Sequence, residues 1–289
     1  MSETQGVATT RRRLRTELRR LRESAGLHQS EVVKQLDWSI SKLIRIENGA
    51  VGVSVTDVRA LAAIYQVDAE RVEELVKLAR VTRERQWWSS FRHVLSPSYR
   101  EYIGYEADAS DIYQAHPTAV PGLLQTEEYI RAIVDSTRLE PISPERAEAE
   151  FAVRHRRQRE ILFSGNPPRY HVILDESVLR RHIGGAKVMR AQLEHLAQLP
   201  EDLVTLGVWP FHAGGHLAMQ GAFTIMEFAN EAEAGVLFLE SAAGHPIERE
   251  PDQVDKYRKA FDAMLNRALV GAQARSFIRA VADDLQQFE

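Results

Sequence analysis

The chain has 289 residues, 44% hydrophobic and 27% charged, a length and composition that predict a soluble protein of two globular domains. It has no cysteine, which excludes disulfides, cysteine-ligated metals and thiol catalysis, and no run of about 18 apolar residues that would span a bilayer. The net charge of −4 is uneven: residues 1–85 carry 16 basic and 12 acidic side chains, whereas residues 86–289 carry 21 and 29.

Charge and proline content predict the domain boundaries. A basic segment joined to an acidic one suits a polyanion-binding domain whose larger companion does not lie on the polyanion. All eleven prolines fall at Pro97 or later. We therefore expect a disordered N-terminus at residues 1–10, an all-α domain of five helices at 11–80, a helical linker at 81–105 and a larger α+β domain at 106–289.

The first predicted helix covers residues 11–25 and combines an apolar stripe with a run of arginines. Leu14, Leu18 and Leu21 recur at helical spacing, and Gly26 ends the pattern. The arginines form either a solvated face or a set of phosphate contacts, since backbone contacts leave little trace in a sequence. This basic segment lacks the apolar core and cleavage site of a secretory signal, so we expect a cytoplasmic protein.

Two short helices joined by a tight turn follow at residues 29–49. His28 lies at the N-cap of the first helix, with Glu31 three residues on, and Asp37 and Trp38 form the turn. Ser39 can cap the second helix.

The second of these helices has an apolar side and a polar side. The apolar side is expected to face the core and hold the helix in place, and its residues are Ile40, Leu43, Ile44 and Ile46. Ser41, Lys42 and Arg45 occupy the remaining face, where a hydroxyl, an ammonium and a guanidinium suit phosphates and base edges in the major groove. Residues 48 and 49, Asn-Gly, are expected to end the helix.

This stretch resembles the lambda-repressor/Cro-like helix-turn-helix family, also called xenobiotic-response-element regulators. The resemblance rests on LRRLRESAGLHQSEVV and SKLIRIENG and extends from residue 14 to about residue 78. It implies a five-helix domain whose third helix docks in the major groove. The DNA contacts that it implies are Gln29, Ser39, Ser41, Lys42 and Arg45.

The same resemblance implies a structural ion pair between Arg22 and Glu47. His28 departs from the family, which usually has threonine or serine there, so the second helix is expected to be capped differently. Two alternatives stay open: a helical hairpin with no role in DNA binding, and the same fold with a protein as its partner.

Two further helices complete the predicted N-terminal domain. Ser54 and Asp57 form a capping box at the start of the fourth, and Asp68 caps the fifth. Beyond them lie the aromatic residues Trp87, Trp88 and Phe91, which are expected to pack in a core rather than to anchor a domain or dimer interface.

The larger domain alternates predicted helices and strands. A turn at Pro121 and Gly122 leads into a helix, and Ser143 and Pro144 begin a long helix that ends near residue 163. Strands are predicted at residues 170–174, 204–209, 222–227 and 236–240. Two more helices are predicted at residues 186–199 and 252–270, the second ending the domain.

Several phrases of this domain resemble the sensor-like or partner-binding domain that accompanies such helix-turn-helix modules in mycelial bacteria. They include VPGLLQTEEYIRAIV, RRQREILFSGNPPRYHVILDESVLRR, GGAKVMRAQLEHL and VWPFHAGGHLAMQGAFTIMEF. The resemblance implies an antitoxin-like transcriptional regulator, often encoded beside a very small acidic protein. It implies no catalytic residues.

Three patterns in the larger domain are candidate binding sites. His212 and His216 have a metal-site spacing but no evident third ligand, and Gly184-Gly185 before a helix is more typical of a turn than of an anion site. The basic run at residues 154–159 either binds an acidic partner or DNA or forms a solvated helix face. The chain lacks the nucleophile-elbow, phosphate-loop and zinc-protease motifs, so we expect no enzyme, metal or cofactor.

The sequence therefore predicts a repressor-like regulator of double-stranded DNA, dimeric because one short helix reads only a half-site. Its C-terminal domain is expected to bind a small acidic protein or an effector. The alternative is a small-molecule sensor or enzyme domain tethered to DNA by the N-terminal module. An apolar pocket lined by Trp209, Phe211 and Phe223 would favour sensing, and an apolar groove rimmed by arginines would favour a protein partner.

Overall fold

The computed structural model describes residues 6–47, 51–82, 87–136, 142–230, 234–240, 247–248 and 250–288. The chain forms two compact units, Met1–Ser90 and Phe91–Glu289. The boundary lies inside the segment predicted as a linker, residues 81–105, so the second part of that segment belongs to the larger unit. Among the described residues, no helix is long and apolar enough to cross a membrane.

The N-terminal unit is all-α. Its helices are α1 (Val7–Ser24), α2 (Gln29–Leu36), α3 (Ile40–Glu47), α4 (Val55–Ile64) and α5 (Ala69–Val81). Helix α1 begins four residues before the predicted start and buries Thr9 and Thr10, so the prediction of disorder is wrong for residues 7–10. The rest of that prediction, residues 1–5, and the Asn-Gly helix end at residues 48 and 49 lie outside the described residues.

The helix starts of this unit follow the predicted capping residues. The Ser54 hydroxyl accepts a hydrogen bond from the backbone N–H of Asp57 at 3.0 Å, and Asp68 accepts one from Arg71 at 2.9 Å. At α2 the backbone N–H of His28 donates to the Glu31 carboxylate at 2.7 Å. Acceptors at these positions stabilise a helix because its first N–H groups have no partner within the helix.

The larger unit is built on a mixed seven-stranded sheet within its described residues. The strands are β1 (Asp111–His116), β2 (Arg169–Asp175), β3 (Val204–Trp209), β4 (Phe223–Glu227), β5 (Val236–Leu239), β6 (Ile247–Glu248) and β7 (Leu269–Val270). Their order is β6-β5-β4-β1-β2-β3-β7. Strands β1, β2 and β3 are parallel, and each of the other pairs is antiparallel.

Helices connect the parallel strands, as a crossover between parallel strands requires. The helices of this unit are α6 (Pro97–Asp108), α7 (Glu127–Ser136), α8 (Pro144–Leu162), α9 (Glu176–Arg180), α10 (Ala186–Gln198), α11 (Pro251–Leu265) and α12 (Gly271–Asp284). The α+β prediction is right that one unit combines helices with a sheet. It did not anticipate the parallel centre, in which α7 and α8 separate β1 from β2, and α9 and α10 separate β2 from β3.

Two elements of the larger unit differ from the predictions. Strand β1 lies in the middle of the sheet, although the sequence analysis proposed no strand there. The last predicted helix, residues 252–270, ends at Leu265 instead. Residues Leu269 and Val270 then pair with β3, and α12 follows from Gly271.

Candidate nucleic-acid interface

Helix α3 has one face toward solvent and one toward the core. At about 100° per residue, Ile40, Ser41, Ile44 and Arg45 fall on one side of the helix, and all four are exposed. The buried residues Leu43, Ile46 and Glu47 occupy the rest of the helix surface. We call the four exposed residues the outer face of α3. Its hydroxyl, guanidinium and branched apolar groups match phosphates, base edges and thymine methyl groups.

Ile40 and Ile44 are the residues of this face that the sequence analysis misplaced. They are 43% and 39% exposed, so the prediction that they face the core is wrong. The four apolar positions of α3 spread over about 160° of the helix, and the buried stripe accommodates only Leu43 and Ile46. An apolar arc this wide is the sequence feature that indicates that some of the four apolar residues lie outside the core.

Ser41 and Arg45 are the predicted DNA contacts that are not engaged elsewhere. Within the described parts of the chain, neither side chain has a hydrogen-bond or ion-pair partner, and both are exposed. A guanidinium without a carboxylate partner on a helix face is suited to a bidentate contact with a phosphate or a guanine edge.

Lys42, another predicted DNA contact, is anchored within the protein. Its ammonium donates to the Asp57 carboxylate at 2.7 Å and lies 3.5 Å from the centre of the Trp38 ring. Burial alone would raise the pKa of Asp57, but hydrogen bonds from Lys42 and Ser54 outweigh it, and the pKa lies below its ordinary value. Lys42 therefore ties α3 to α4, and about 39% of its side chain stays exposed for a further contact.

Ser39 and Gln29, the remaining predicted contacts, also have roles inside the domain. The Ser39 hydroxyl accepts from the backbone N–H of Lys42 at 3.2 Å and so caps α3 as predicted. The Gln29 amide donates to Glu47 at 2.7 Å. Each side chain keeps one hydrogen-bonding atom for a phosphate, namely the hydroxyl proton of Ser39 and the second N–H of Gln29.

Arg22 and Glu47 form a buried, bidentate ion pair. The Arg22 Nε lies 2.6 Å from Glu47 Oε1, and Nη2 lies 3.0 Å from Oε2. The third guanidinium nitrogen, Nη1, donates to the backbone carbonyl of Leu27 at 2.9 Å. Hydrogen bonding to Glu47 raises the pKa of Arg22 above its ordinary value. The pair holds the C-terminal end of α3 against α1 and thereby fixes the direction of the outer face.

The aromatic residues proposed as a pocket in the larger unit do not form one. Trp209 and Phe223 are buried in a core cluster with Tyr113, whereas Phe211 is 57% exposed. Of the three aromatic residues expected to pack in a core, Trp88 is buried, whereas Trp87 and Phe91 are half-buried. The Trp87 and Trp88 rings contact each other edge to face.

The two candidate metal ligands, His212 and His216, lie in different environments. The His216 side chain is buried, and its Nε2 lies 2.9 Å from Asp175 Oδ2, whereas His212 is exposed. In the described residues, no group of three or more histidine or acidic side chains is arranged to hold a metal ion. Gly184 and Gly185 both have positive φ, 76° and 89°, and form the turn before α10.

The basic run at residues 154–159 is not a uniform charged face. Arg157 is buried and makes a bidentate ion pair with Glu106 of α6, while its Nη1 donates to the Tyr99 hydroxyl at 2.8 Å. Arg156 pairs with Glu160 one turn along the same helix. The run therefore contains a tertiary contact that the sequence analysis did not propose.

Comparison with known families assigns both units. Residues 99–280, more than half of the chain, match the family described as "Domain of unknown function (DUF5753)". Residues 13–75 match the family described as "Helix-turn-helix domain". No curated protein and no solved structure matches the chain. The second match supports a DNA-binding regulator, and its limits enclose α2, α3 and α4.

Proposed function

We propose a function on the premise that the chain belongs to the DUF5753 family and carries a helix-turn-helix domain. The protein is a sequence-specific DNA-binding transcriptional regulator that reads its operator with α3. A helix of eight residues contacts only a few base pairs, so the working form is a homodimer that binds two half-sites. The proposal includes no enzymatic activity.

The outer face of α3 is the observation that carries this proposal. Arg45 and Ser41 are exposed and have no partner among the described residues, while the buried pair of Arg22 and Glu47 holds the helix from behind. A reading helix requires this combination, since exposed donors give affinity and specificity only when their orientation is fixed. We assign base contact to Arg45 and Ser41, thymine-methyl contact to Ile44, and phosphate contact to Gln29, Ser39 and Lys42.

The larger unit is proposed to control when DNA is bound. The sequence resemblance described above supports an antitoxin-like role with a small acidic protein partner. A cavity in the same unit supports a second candidate, in which a small-molecule effector is sensed. Both candidates place the regulatory contact outside the outer face of α3.

Footprinting on the promoter of the protein's own gene tests the DNA-binding proposal. We expect two protected half-sites whose centres are about 10 base pairs apart, or a multiple of that spacing. In binding assays on that site, Arg45→Ala should weaken specific binding by about 1–3 kcal/mol and relax sequence preference at one position. Arg80→Ala, which removes an exposed arginine of α5, is the matched control and should leave affinity unchanged within about twofold.

Two outcomes would contradict the assignment. If Arg45→Ala and Arg80→Ala bind the operator equally well, α3 does not read it. If Arg45→Ala weakens binding to all DNA sequences equally, Arg45 is a phosphate contact instead of a base contact.

A further inference from the structure

A cavity of about 460 Å³ opens in the C-terminal unit, a volume typical of small-molecule sites. Tyr99 and Tyr102 of α6 line one part of it, and Gln114 and His116 of β1 line another. Other lining residues come from α7, α8, the segments before α6 and α7, and Glu240 after β5. The lining residues that the structure describes all lie within Phe91–Glu289, and none of them belongs to the candidate nucleic-acid interface.

Each charged side chain among the described lining residues has a partner within the protein. Arg157 pairs with Glu106 and Arg154 with Glu150, and His116 Nε2 lies 3.3 Å from Glu240 Oε2. The Arg157 guanidinium also donates to the Tyr99 hydroxyl, so all three of its nitrogens are engaged. A charged ligand would lose its hydration on entering the cavity, and no unpaired counter-ion would offset that loss. Binding of a charged ligand is therefore unfavourable in this partly buried site. The cavity therefore favours a neutral ligand.

Gln125 supplies a hydrogen-bond acceptor that the protein does not use. The residue is only 9% exposed, lines the cavity, and its Oε1 has no partner among the described residues. Its Nε2 donates to the Val120 carbonyl at 2.7 Å, which fixes the orientation of the amide. A buried acceptor without a partner is unfavourable, and a donor on a bound molecule would remove that cost.

Gln114 supplies a donor on another part of the lining. Its Oε1 accepts a hydrogen bond from the Tyr170 hydroxyl, and its Nε2 has no partner within the described chain. About half of the lining surface is apolar, with Leu95, Val120 and Ile133 among the residues that contribute it. The rings of Tyr99 and Tyr102 stack beside them with their centres 6.0 Å apart. Besides its paired polar groups, the lining thus combines apolar surface with the unused acceptor of Gln125 and the unused donor of Gln114.

We propose that this cavity binds a neutral, partly apolar organic molecule that carries an amide or a similar group with one donor and one acceptor. The ligand N–H donates to Gln125 Oε1, its carbonyl accepts from Gln114 Nε2, and its apolar body packs against Tyr99 and Ile133. This proposal specifies the chemical class of the effector in the proposed function. Only the regulatory role of the ligand rests on that function. Binding itself is measured without DNA.

Ligand-observed NMR on the full chain tests the site with three probes of the same shape. Benzamide is the neutral amide, and benzoate and protonated benzylamine are the charged analogues. We expect benzamide to bind at least about tenfold more tightly than either ion, as the absence of a counter-ion requires. In Gln125→Leu the affinity for benzamide should fall by about tenfold, because one hydrogen bond is lost.

A second variant keeps the test decisive if Gln125→Leu does not fold. Ala119→Trp fills the partly exposed rim of the cavity and should abolish benzamide binding, while Ala263→Trp on the exposed side of α11 should retain it. Circular dichroism verifies the fold of each variant. Absence of benzamide binding to the unmodified chain, equal binding of all three probes, or equal binding by Ala119→Trp and Ala263→Trp would overturn the proposal. None of these outcomes bears on operator binding.

Discussion

A single residue in the left-handed region closes the turn between α2 and α3. Asp37 has φ 53° and ψ 41°, and its backbone N–H donates to the Val33 carbonyl, so the chain reverses immediately after α2. This conformation costs residues with a Cβ about 1–2 kcal/mol relative to a right-handed helix, and aspartate tolerates it better than most. The turn at Asp37 and Trp38 is predicted correctly from the sequence, but the positive φ of Asp37 is not.

Asp37→Gly should therefore stabilise the chain by about 0.5–1 kcal/mol, because glycine adopts positive φ without steric cost. Asp37→Val should destabilise it by more than about 1 kcal/mol, because a β-branched side chain is strained there. Asp37 is exposed, so neither change removes a core contact. Urea unfolding followed by circular dichroism measures both, and equal stability of the glycine and valine variants would refute the explanation.

Helix caps can be predicted from the sequence because their partners are close along the chain. Strands whose contacts are distant along the chain cannot be predicted in this way. The caps of α3, α4 and α8 were predicted because Ser39, Ser54 and Ser143 bond to backbone groups within three residues. Strand β1 was not predicted because its polar residues find their partners far away. Gln114 accepts from the hydroxyl of Tyr170, which is 56 positions away.

The same limit applies to the candidate sites. The ion pair of Arg22 and Glu47 came from a family resemblance, since no local spacing joins residues 25 positions apart. The cavity was missed because its lining comes from segments between residues 94 and 240. The end of α11 was misjudged for a related reason, because pairing of Val270 with Gly207 on β3 ends the helical path.

A buried ion pair between Arg157 and Glu106 joins α8 to α6 in the larger unit. Loss of either partner should lower the stability of this unit. Arg157→Met leaves Glu106 buried and unpaired and should lower the free energy of unfolding by about 3–5 kcal/mol. The double variant Glu106→Leu/Arg157→Met should recover most of that loss, because no charge is left buried.

Arg156→Met provides the control on the same helix. Its pair with Glu160 is about half exposed, so its removal should change stability by less than about 1 kcal/mol. Urea unfolding compares the four proteins. Equal losses for Arg156→Met and Arg157→Met would show that the buried pair has no special role.

Both units contain aspartates whose pKa lies below the ordinary value of 3.8. They are Asp57 in the N-terminal unit and Asp111 and Asp175 in the larger one. For Asp175, burial would raise the pKa, but hydrogen bonds from Ser177 and His216 outweigh it. Because the folded pKa is the lower one, the unfolded chain binds protons first, and stability is lost as pH falls below about 4.

Asp175→Asn should therefore lower the melting temperature at pH 7 and make its decline below about pH 4 shallower. The substitution keeps an acceptor for the Ser177 N–H and removes the charge that faces His216. Asp255→Asn, at an exposed position of α11, should leave the pH profile unchanged. Scanning calorimetry at several pH values makes the comparison, and identical profiles for the two variants would contradict the assignment.

The division of α3 into two faces has a consequence for how such a protein changes over evolutionary time. Its inner residues Leu43, Ile46 and Glu47 secure the helix, and no outer residue is shared with that set. Substitutions at residues 40, 41, 44 and 45 can therefore accumulate with little selection from folding. A duplicated copy of the gene would be free to acquire a new operator while keeping its scaffold, so target sites should diverge faster than the fold does.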